Sequence, residues 1–185
     1  MEFVEAIKDR QKIREIKEIL YNRSKRDYVL FTFGINTGLK ISDILTIKKS
    51  QLFDANDNIK EFLVIHGEEL KVFLNEQVKL SIQEYVATAP GLSPNDYLFK
   101  SKKGDLPITR QQAYRIINSI AREVGITSKI GTHTLRKTFG YHAYRGGVAI
   151  SLLQKIFHHS SRGETMKYIG IEKEEEKHPK IDVNL

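Results

Sequence analysis

The chain contains no cysteine. Disulfide bonds and zinc sites built on thiolates are therefore excluded, and the composition fits a reducing cytoplasm. No stretch approaches the roughly 18 consecutive apolar residues that a membrane-spanning helix requires. The amino terminus lacks the basic run and apolar segment of a signal peptide, and neither internal repeats nor low-complexity linkers occur. These absences predict a soluble cytoplasmic protein without a membrane partner.

Positive charge is in excess. The 185 residues include 30 Lys and Arg against 23 Asp and Glu, which gives a formal net charge of +7. This length suits one domain with a sizeable core and is short for two. A basic balance suits a polyanionic partner, so nucleic acid is the first class of ligand to consider.

Apolar periodicity predicts a mostly helical chain. Helical patterns occupy the segments 5–20, 28–35, 76–89, 109–125, 135–145 and 149–157. Two short β-prone runs, 62–65 and 71–74, flank a turn and predict an antiparallel hairpin. The expected fold class is mixed α+β, predominantly helical, with one small antiparallel sheet.

Four residues near the carboxyl end could together attack a phosphodiester. His133 and Arg136 are three positions apart and share one helical face, and Tyr168 follows His159 by nine residues. A phenol can act as the nucleophile once a base or nearby cations activate it. An arginine fork can hold a phosphate, and imidazoles can stabilise its oxygens or transfer protons.

The segment from Arg26 to Gly170 resembles the catalytic domain of tyrosine recombinases, the phage integrase family. Three ordered motifs carry the resemblance: 33–45, 131–138, and His159-Ser160-Ser161 with Tyr168-Ile169-Gly170. The resemblance implies a DNA-breaking and rejoining enzyme that forms a 3′-phosphotyrosine, without metal, cofactor or small-molecule substrate. It also implies double-stranded DNA as the partner and a tetramer on paired DNA sites.

The resemblance assigns site residues by register. Tyr168 would be the nucleophile, and Arg136, His133, His159 and Lys40 would bind the scissile phosphate or transfer protons. Lys40 stands where the family has arginine after Thr-Gly-Leu, so a point charge replaces a bidentate fork. Asp43 matches an acidic residue of the family and is expected to orient its neighbours, whereas His158 occupies a usual glycine position and is expected to be a bystander.

The hairpin departs from the family pattern. A lysine in its turn usually protonates the 5′ leaving oxygen, but this turn reads His66-Gly67-Glu68-Glu69 and is acidic. Lys71 on the returning strand and His66 are the two candidates for the general acid. The two carboxylates would repel a phosphate, which argues for reduced activity.

The expected organisation is a single catalytic domain over 1–185. It comprises an N-terminal helix (1–23), a catalytic core (24–170) and a C-terminal tail (171–185). Family members usually carry a helical DNA-clamping domain before this one, and the residues before Ser24 are too few to form it. The charged tail is expected to be ordered against a neighbouring subunit.

Two functions follow. The first is a site-specific recombinase or integrase acting through Tyr168, which the retention of His133, Arg136, His159 and Tyr168 favours. The alternative is a catalytically impaired DNA-binding protein with the same fold, such as a regulator from a mobile element, which Lys40 and the acidic turn would suit.

Overall fold

A computed structural model describes residues 4–66, 70–89 and 91–171. These residues form nine helices and one two-stranded antiparallel sheet, so the predicted fold class is confirmed. The elements are α1 (Arg10–Arg23), α2 (Lys25–Thr37), α3 (Ile41–Leu45), α4 (Lys49–Leu52), β1 (Phe62–Ile65), β2 (Leu70–Phe73), α5 (Glu76–Thr88), α6 (Arg110–Glu123), α7 (Thr132–Arg145), α8 (Ile150–Phe157) and α9 (Arg162–Ile169). No helix of the described ranges is long and apolar enough to cross a membrane.

The N-terminal helix predicted over 1–23 begins only at Arg10, so its predicted start is wrong. Asp9 ends the preceding segment and caps α1, its carboxylate accepting a hydrogen bond from the Gln11 amide at 2.7 Å. Upstream, the Ile7 amide donates to the Thr138 hydroxyl at 2.9 Å. Tertiary hydrogen bonding of the backbone therefore replaces the local helical bonds that the periodicity favoured.

Helix α2 lies at the centre of the larger core. The Ser24 hydroxyl caps it by accepting from the Asp27 amide, and Gly38 ends it in the left-handed conformation with φ 66°. Gly34 brings it close to α7, because a Cβ there would lie 2.5 Å from Leu135 Cδ1. This close packing fixes α7, which carries His133 and Arg136.

The predicted hairpin forms with Phe62 opposite Phe73 and Val64 opposite Lys71. Leu63 and Val72 on one face are buried in the larger core, whereas Phe62 and Phe73 on the other face are exposed. Residues 67–69, which include Glu68 and Glu69 of the acidic turn, lie outside the described residues.

A second apolar cluster joins the last three helices. Its buried members are Ile150, Leu153, Phe157, Met166, Ile169 and Ile171. Helix α7 begins at Thr132, three residues before the predicted start, and α9 was not among the predicted helices. Tyr168 is therefore held on a helix that packs back onto α7. The tail from Glu172 onward lies outside the described residues.

Candidate active site

Helix α7 places two of the predicted residues on one face. His133 lies in its first turn and Arg136 one turn later, with Arg136 only 8 % exposed. The Gly131 amide donates to the Thr134 hydroxyl at 3.0 Å, which satisfies an amide beside the helix start. The free N–H groups of this first turn add positive potential where a phosphate would bind.

Arg136 is fixed by contacts with the helix that precedes His159. Its Nη2 donates to the Ile156 carbonyl at 3.2 Å, and its guanidinium carbon lies 4.8 Å from the centre of the Phe157 ring. The guanidinium also lies close enough to Tyr168 to lower the pKa of its phenol. Burial lowers the pKa of Arg136, and the nearby Tyr168 and Asp43 oppose that shift. The phosphate-binding candidate and the nucleophile candidate thus share Phe157 as a neighbour and influence each other's pKa.

Tyr168 lies in the last turn of α9, between aromatic and cationic neighbours. Its ring centre is 5.2 Å from that of Phe157 and 4.9 Å from that of His159, and the Lys137 ammonium lies 5.0 Å from it. Burial raises the pKa of Tyr168, whereas the charge of Arg136 acts in the lowering direction. Arg136 therefore partly offsets the cost of ionising a buried phenol.

The hydrogen bonds of His159 indicate its neutral tautomer. Its Nδ1 is 3.1 Å from the Thr165 hydroxyl, and that hydroxyl donates its single proton to the Ser161 carbonyl at 3.2 Å. With the Thr165 hydroxyl as the donor to Ser161, the matching tautomer of His159 donates from Nδ1 and has its lone pair on Nε2. Burial lowers the pKa of His159; Glu164 raises it and Arg136 lowers it further.

His133 lies within a group of cations. Although its side chain is exposed overall, partial burial lowers its pKa, and the charges of Arg110, Lys137, Arg136 and Lys40 lower it further. Lys40 is exposed and sits at the N-cap of α3, close enough to act on His133. The role of Lys40 as a phosphate-binding residue stays a prediction.

Of the two candidates for the general acid, His66 is the one joined to another site residue. Its Nε2 lies 3.4 Å from Oδ1 of Asp43, and Asp43 in turn acts on Arg136. Lys71 is exposed and shares the open face of the hairpin with Phe62 and Phe73. His158 is exposed and ends α8 with φ 56°.

The sequence motifs did not single out Arg110 or Lys137. Arg110 is the first residue of α6 after the Thr109 cap, and its charge is the largest cationic influence on His133. Only the packing of α6 near the start of α7 brings it there. Lys137 follows Arg136 directly but lies on another side of α7. In the described part of the chain, no three His, Cys, Asp or Glu side chains are grouped to hold a metal.

A buried arginine near a phenol, two imidazoles beside them and a helical domain with one small hairpin together define the class of tyrosine recombinase catalytic domains. The sequence profile described as "Phage integrase family" matches residues 9–175. The chain therefore belongs to the phage integrase family, as the motifs predicted.

Individual relatives agree with this assignment. The chain is 43 % identical over 180 residues to "Probable integrase/recombinase YoeC" of Bacillus subtilis (strain 168), covering 94 % of this chain and 93 % of the relative. It is 28 % identical over 152 residues to "Tyrosine recombinase XerC" of Staphylococcus saprophyticus, covering 81 % of this chain and 51 % of that protein. The chain thus spans about half the length of several curated tyrosine recombinases that it matches.

Solved structures show the same fold. The crystal structure of XerA recombinase superposes with a TM-score of 0.74 at 21 % identity, over 94 % of this chain and 61 % of that one. XerH site-specific recombinase, solved bound to a palindromic difH substrate as a post-cleavage complex, gives a TM-score of 0.68 at 19 % identity, over 90 % of this chain and 49 % of that one.

Proposed function

We propose that the chain is a site-specific DNA recombinase that cleaves and rejoins strands of double-stranded DNA through a 3′-phosphotyrosine on Tyr168. The observation that carries this proposal is the clustering of the half-buried Tyr168 with the ring of His159, 4.9 Å away, and with the buried Arg136, whose charge lowers the pKa of the phenol. The membership of the chain in the phage integrase family supports it, and the relatives do not favour the impaired DNA-binding alternative.

The reaction needs one bond to form at phosphorus and one to break. The Tyr168 oxygen attacks, its bond to phosphorus forms, and the bond from phosphorus to the 5′ oxygen breaks. Arg136 has five N–H donors, so it can bind a non-bridging oxygen while it orients the phenol. Lys40 adds positive charge where the phosphorane develops its negative charge, and the neutral His133 ring can donate a hydrogen bond there.

His159 is the base in this proposal. Burial lowers its pKa, so the ring is neutral near pH 7, and its Nε2 lone pair can accept the phenol proton as Tyr168 attacks. The hydrogen bond from Nδ1 to Thr165 holds the ring in the tautomer that this step requires.

His66 is the general acid in this proposal. In its protonated form it gives a proton to the departing 5′ oxygen, and Asp43, whose Oδ1 lies 3.4 Å from its Nε2, orients the ring. Histidine then replaces the lysine that the family carries in this hairpin. Lys71 is the weaker candidate because its side chain lies on the open face of the sheet.

Covalent adduct formation tests the nucleophile. Sheared chromosomal DNA of the source organism is incubated with the protein, quenched in detergent, and sequenced at its protein-linked 3′ ends. A duplex of the mapped sequence, nicked beside the cleavage point, then accumulates the adduct.

Tyr168→Phe should abolish the adduct and leave DNA affinity nearly unchanged, because it removes the nucleophile but no charge. An adduct that persists in this variant would assign the nucleophile elsewhere, with Tyr141 and Tyr144 the next candidates.

A DNA substrate with sulfur in place of the 5′ bridging oxygen of the scissile phosphate tests the general acid. This 5′-phosphorothiolate releases a thiolate, which leaves without needing a proton. His66→Ala should slow cleavage of ordinary DNA by about 10²- to 10⁴-fold and cleave the phosphorothiolate at nearly the wild-type rate. Lys71→Ala is the matched control and should behave like wild type on both substrates. If instead Lys71→Ala is slow on ordinary DNA and the phosphorothiolate restores its rate, Lys71 is the general acid.

The alternative function has a distinct outcome. A wild-type protein that binds DNA with salt-dependent affinity, yet forms no Tyr168-dependent adduct with either chromosomal DNA or its mapped duplexes, would be the impaired DNA-binding protein. The observation that favours this alternative is Lys40, which stands where the family has its first arginine.

We also propose that four copies assemble on paired sites and that residues 24–170 form the catalytic core of one domain. The family resemblance supports the assembly, and the cysteine-free composition fits action in the cytoplasm. Gel-shift cooperativity on a duplex with two mapped sites, compared with one site, tests the assembly. Equal affinity per site on the two duplexes would contradict it.

A further inference from the structure

Residues Val4–Lys8, here termed the N-terminal strap, have no regular secondary structure and lie against α7 and the end of α9. The Glu5 amide donates to the Lys129 carbonyl at 2.9 Å. The Ile7 amide donates to the Thr138 hydroxyl, and the Ile7 carbonyl is 2.9 Å from Nε2 of His142. Val4 and Ile7 are also buried. The strap is therefore attached to α7 by both its backbone and its apolar side chains.

Lys137 connects the strap to the ring of Tyr168. Its side chain is on a residue only 8 % exposed, and its ammonium donates to the Val4 carbonyl at 2.8 Å. The same ammonium lies 5.0 Å from the centre of the Tyr168 ring, within the range of a cation–π contact. Burial lowers the pKa of Lys137, and Glu5 opposes that shift. The strap thus supplies the acceptor that holds a buried cation against the nucleophile.

Lys8 connects the strap to the end of the nucleophile's helix. Its ammonium donates to the Gly170 carbonyl at 2.7 Å. Gly170 ends α9 with φ 73° and is two residues beyond Tyr168. The last carbonyls of a helix lack intrahelical partners and carry the negative end of the helix dipole, so a lysine there is favourable. Lys8 is exposed and also lies 5.1 Å from the Tyr141 ring.

We propose that the N-terminal strap is a positioning element of the active site. It holds Tyr168 in place through Lys137, which is bound between the Val4 carbonyl and the phenol ring, and through Lys8, which is bound to the carbonyl end of α9. Neither lysine touches the scissile phosphate in this proposal, so both are positioning residues rather than catalytic ones. The inference rests on the proposed role of Tyr168 as the nucleophile.

The geometry of α9 explains why such support matters. The helix has eight residues, and Tyr168 is the seventh of them. Short helices are marginal and their ends fray, so packing must supply the order that the helix lacks. An attacking oxygen must meet phosphorus along one line, and a displacement of about 1 Å can lower the rate by about 10²-fold.

Single-turnover cleavage of the nicked duplex, at saturating protein, separates positioning from binding. Lys137→Met should lower the rate of adduct formation by about 10- to 100-fold and Lys8→Met by about 10-fold. The dissociation constant for the duplex should change no more than in Lys12→Met. This control removes a partly exposed lysine that pairs with Glu15 one turn along α1. Lys137→Arg retains the charge and the donor and should recover part of the rate.

Hydrogen exchange provides a readout that does not depend on cleavage. Lys8→Met should speed exchange of the α9 amides while α2, at the centre of the larger core, keeps its wild-type protection. An unchanged α9, or a uniform rise through the protein, would overturn the strap's positioning role. This measurement remains decisive if Lys137→Met proves too unstable to assay.

The two proposals fail in different ways. A wild-type protein that forms no adduct at Tyr168 removes the proposed nucleophile, while hydrogen exchange still decides whether the strap holds α9. A wild-type protein that forms the adduct, with Lys8→Met and Lys137→Met both cleaving at its rate, preserves the nucleophile and overturns the strap inference.

Discussion

At the residue scale, Lys40 is the main difference from the family's phosphate-binding pattern. It carries the charge of the usual arginine, but an ammonium is a compact point donor and cannot form two parallel hydrogen bonds with a phosphate. Arg110, whose charge also acts on His133, adds a guanidinium at the same side of α7. The site therefore retains its positive charge while its hydrogen-bonding geometry changes.

Lys40→Arg should raise the single-turnover cleavage rate, because it restores a bidentate contact with the scissile phosphate. A lost contact to a developing oxyanion costs about 2–4 kcal/mol, so a gain of about 10-fold to 100-fold is expected after allowing for imperfect fit. The measurement is adduct formation on the nicked duplex, with Lys48→Arg, on another element, as the control. An active enzyme that Lys40→Arg leaves unchanged would show that Lys40 does not bind the phosphate.

The pKa of His133 predicts a dependence of stability on pH. Burial and neighbouring cations lower its folded-state pKa below the unfolded value of about 6.5. The unfolded chain therefore binds more protons as the pH falls through that value, and the free energy of unfolding decreases until the folded-state pKa is passed. The contribution is complete above the unfolded value and is lost on acidification.

Urea unfolding at about pH 7.5 and about pH 5.5 measures this effect. His133→Gln should show a smaller loss of stability between the two conditions than wild type, because it removes a titrating group whose protonated form is disfavoured in the fold. His158→Gln, which removes an exposed histidine at the end of α8, is the control. Identical losses in His133→Gln and wild type would contradict the assigned shift.

At the element scale, α7 organises the site because its sides have different neighbours. His133 and Arg136 face the candidate phosphate site, Lys137 and Thr138 bind the N-terminal strap, and Gly140 meets α8 and α9. A Cβ on Gly140 would lie 2.6 Å from Ile169 Cγ2 and 2.8 Å from the Phe157 ring. The absence of a side chain is thus what allows α9, the helix of Tyr168, to approach α7.

Gly140→Ala should destabilise the protein by about 1–3 kcal/mol, since over-packing of this kind outweighs the gain of about 1 kcal/mol from better helix propensity. Urea unfolding gives the stability, and adduct formation should fall further than the folded fraction because α9 is displaced. Gly104→Ala is the matched control, because a Cβ there has nothing within 4 Å. Equal stabilities of the two variants would mean that α9 adjusts without cost.

At the scale of the whole molecule, the net charge of +7 predicts how affinity for DNA responds to salt. Each neutralised phosphate releases counterions and contributes about −0.9 to the slope of log affinity against log salt, so a slope of magnitude above about 3 is expected. Fluorescence anisotropy with a random-sequence duplex measures it. Arg110→Ala should reduce the slope by about 1, and a flat response in wild type would remove the nucleic-acid assignment.

The sequence by itself determined the family, the mostly helical class and the order of the four central residues. These features are local: helical periodicity, caps such as Ser24, and the spacing of His133 and Arg136 all depend on neighbours within a few positions. The same local reasoning located the hairpin and the packed face of α6.

Tertiary structure decided the remaining features, because they join residues that are far apart in the chain. Lys137 and Val4 are 133 positions apart, and their contact converts a predicted helical start into the N-terminal strap. The contact of His66 with Asp43 joins the hairpin to α3, and Arg110 reaches His133 only because α6 packs beside α7. Periodicity identifies which face of a helix is buried. Which element packs against that face depends on how all the apolar faces fit together in one core.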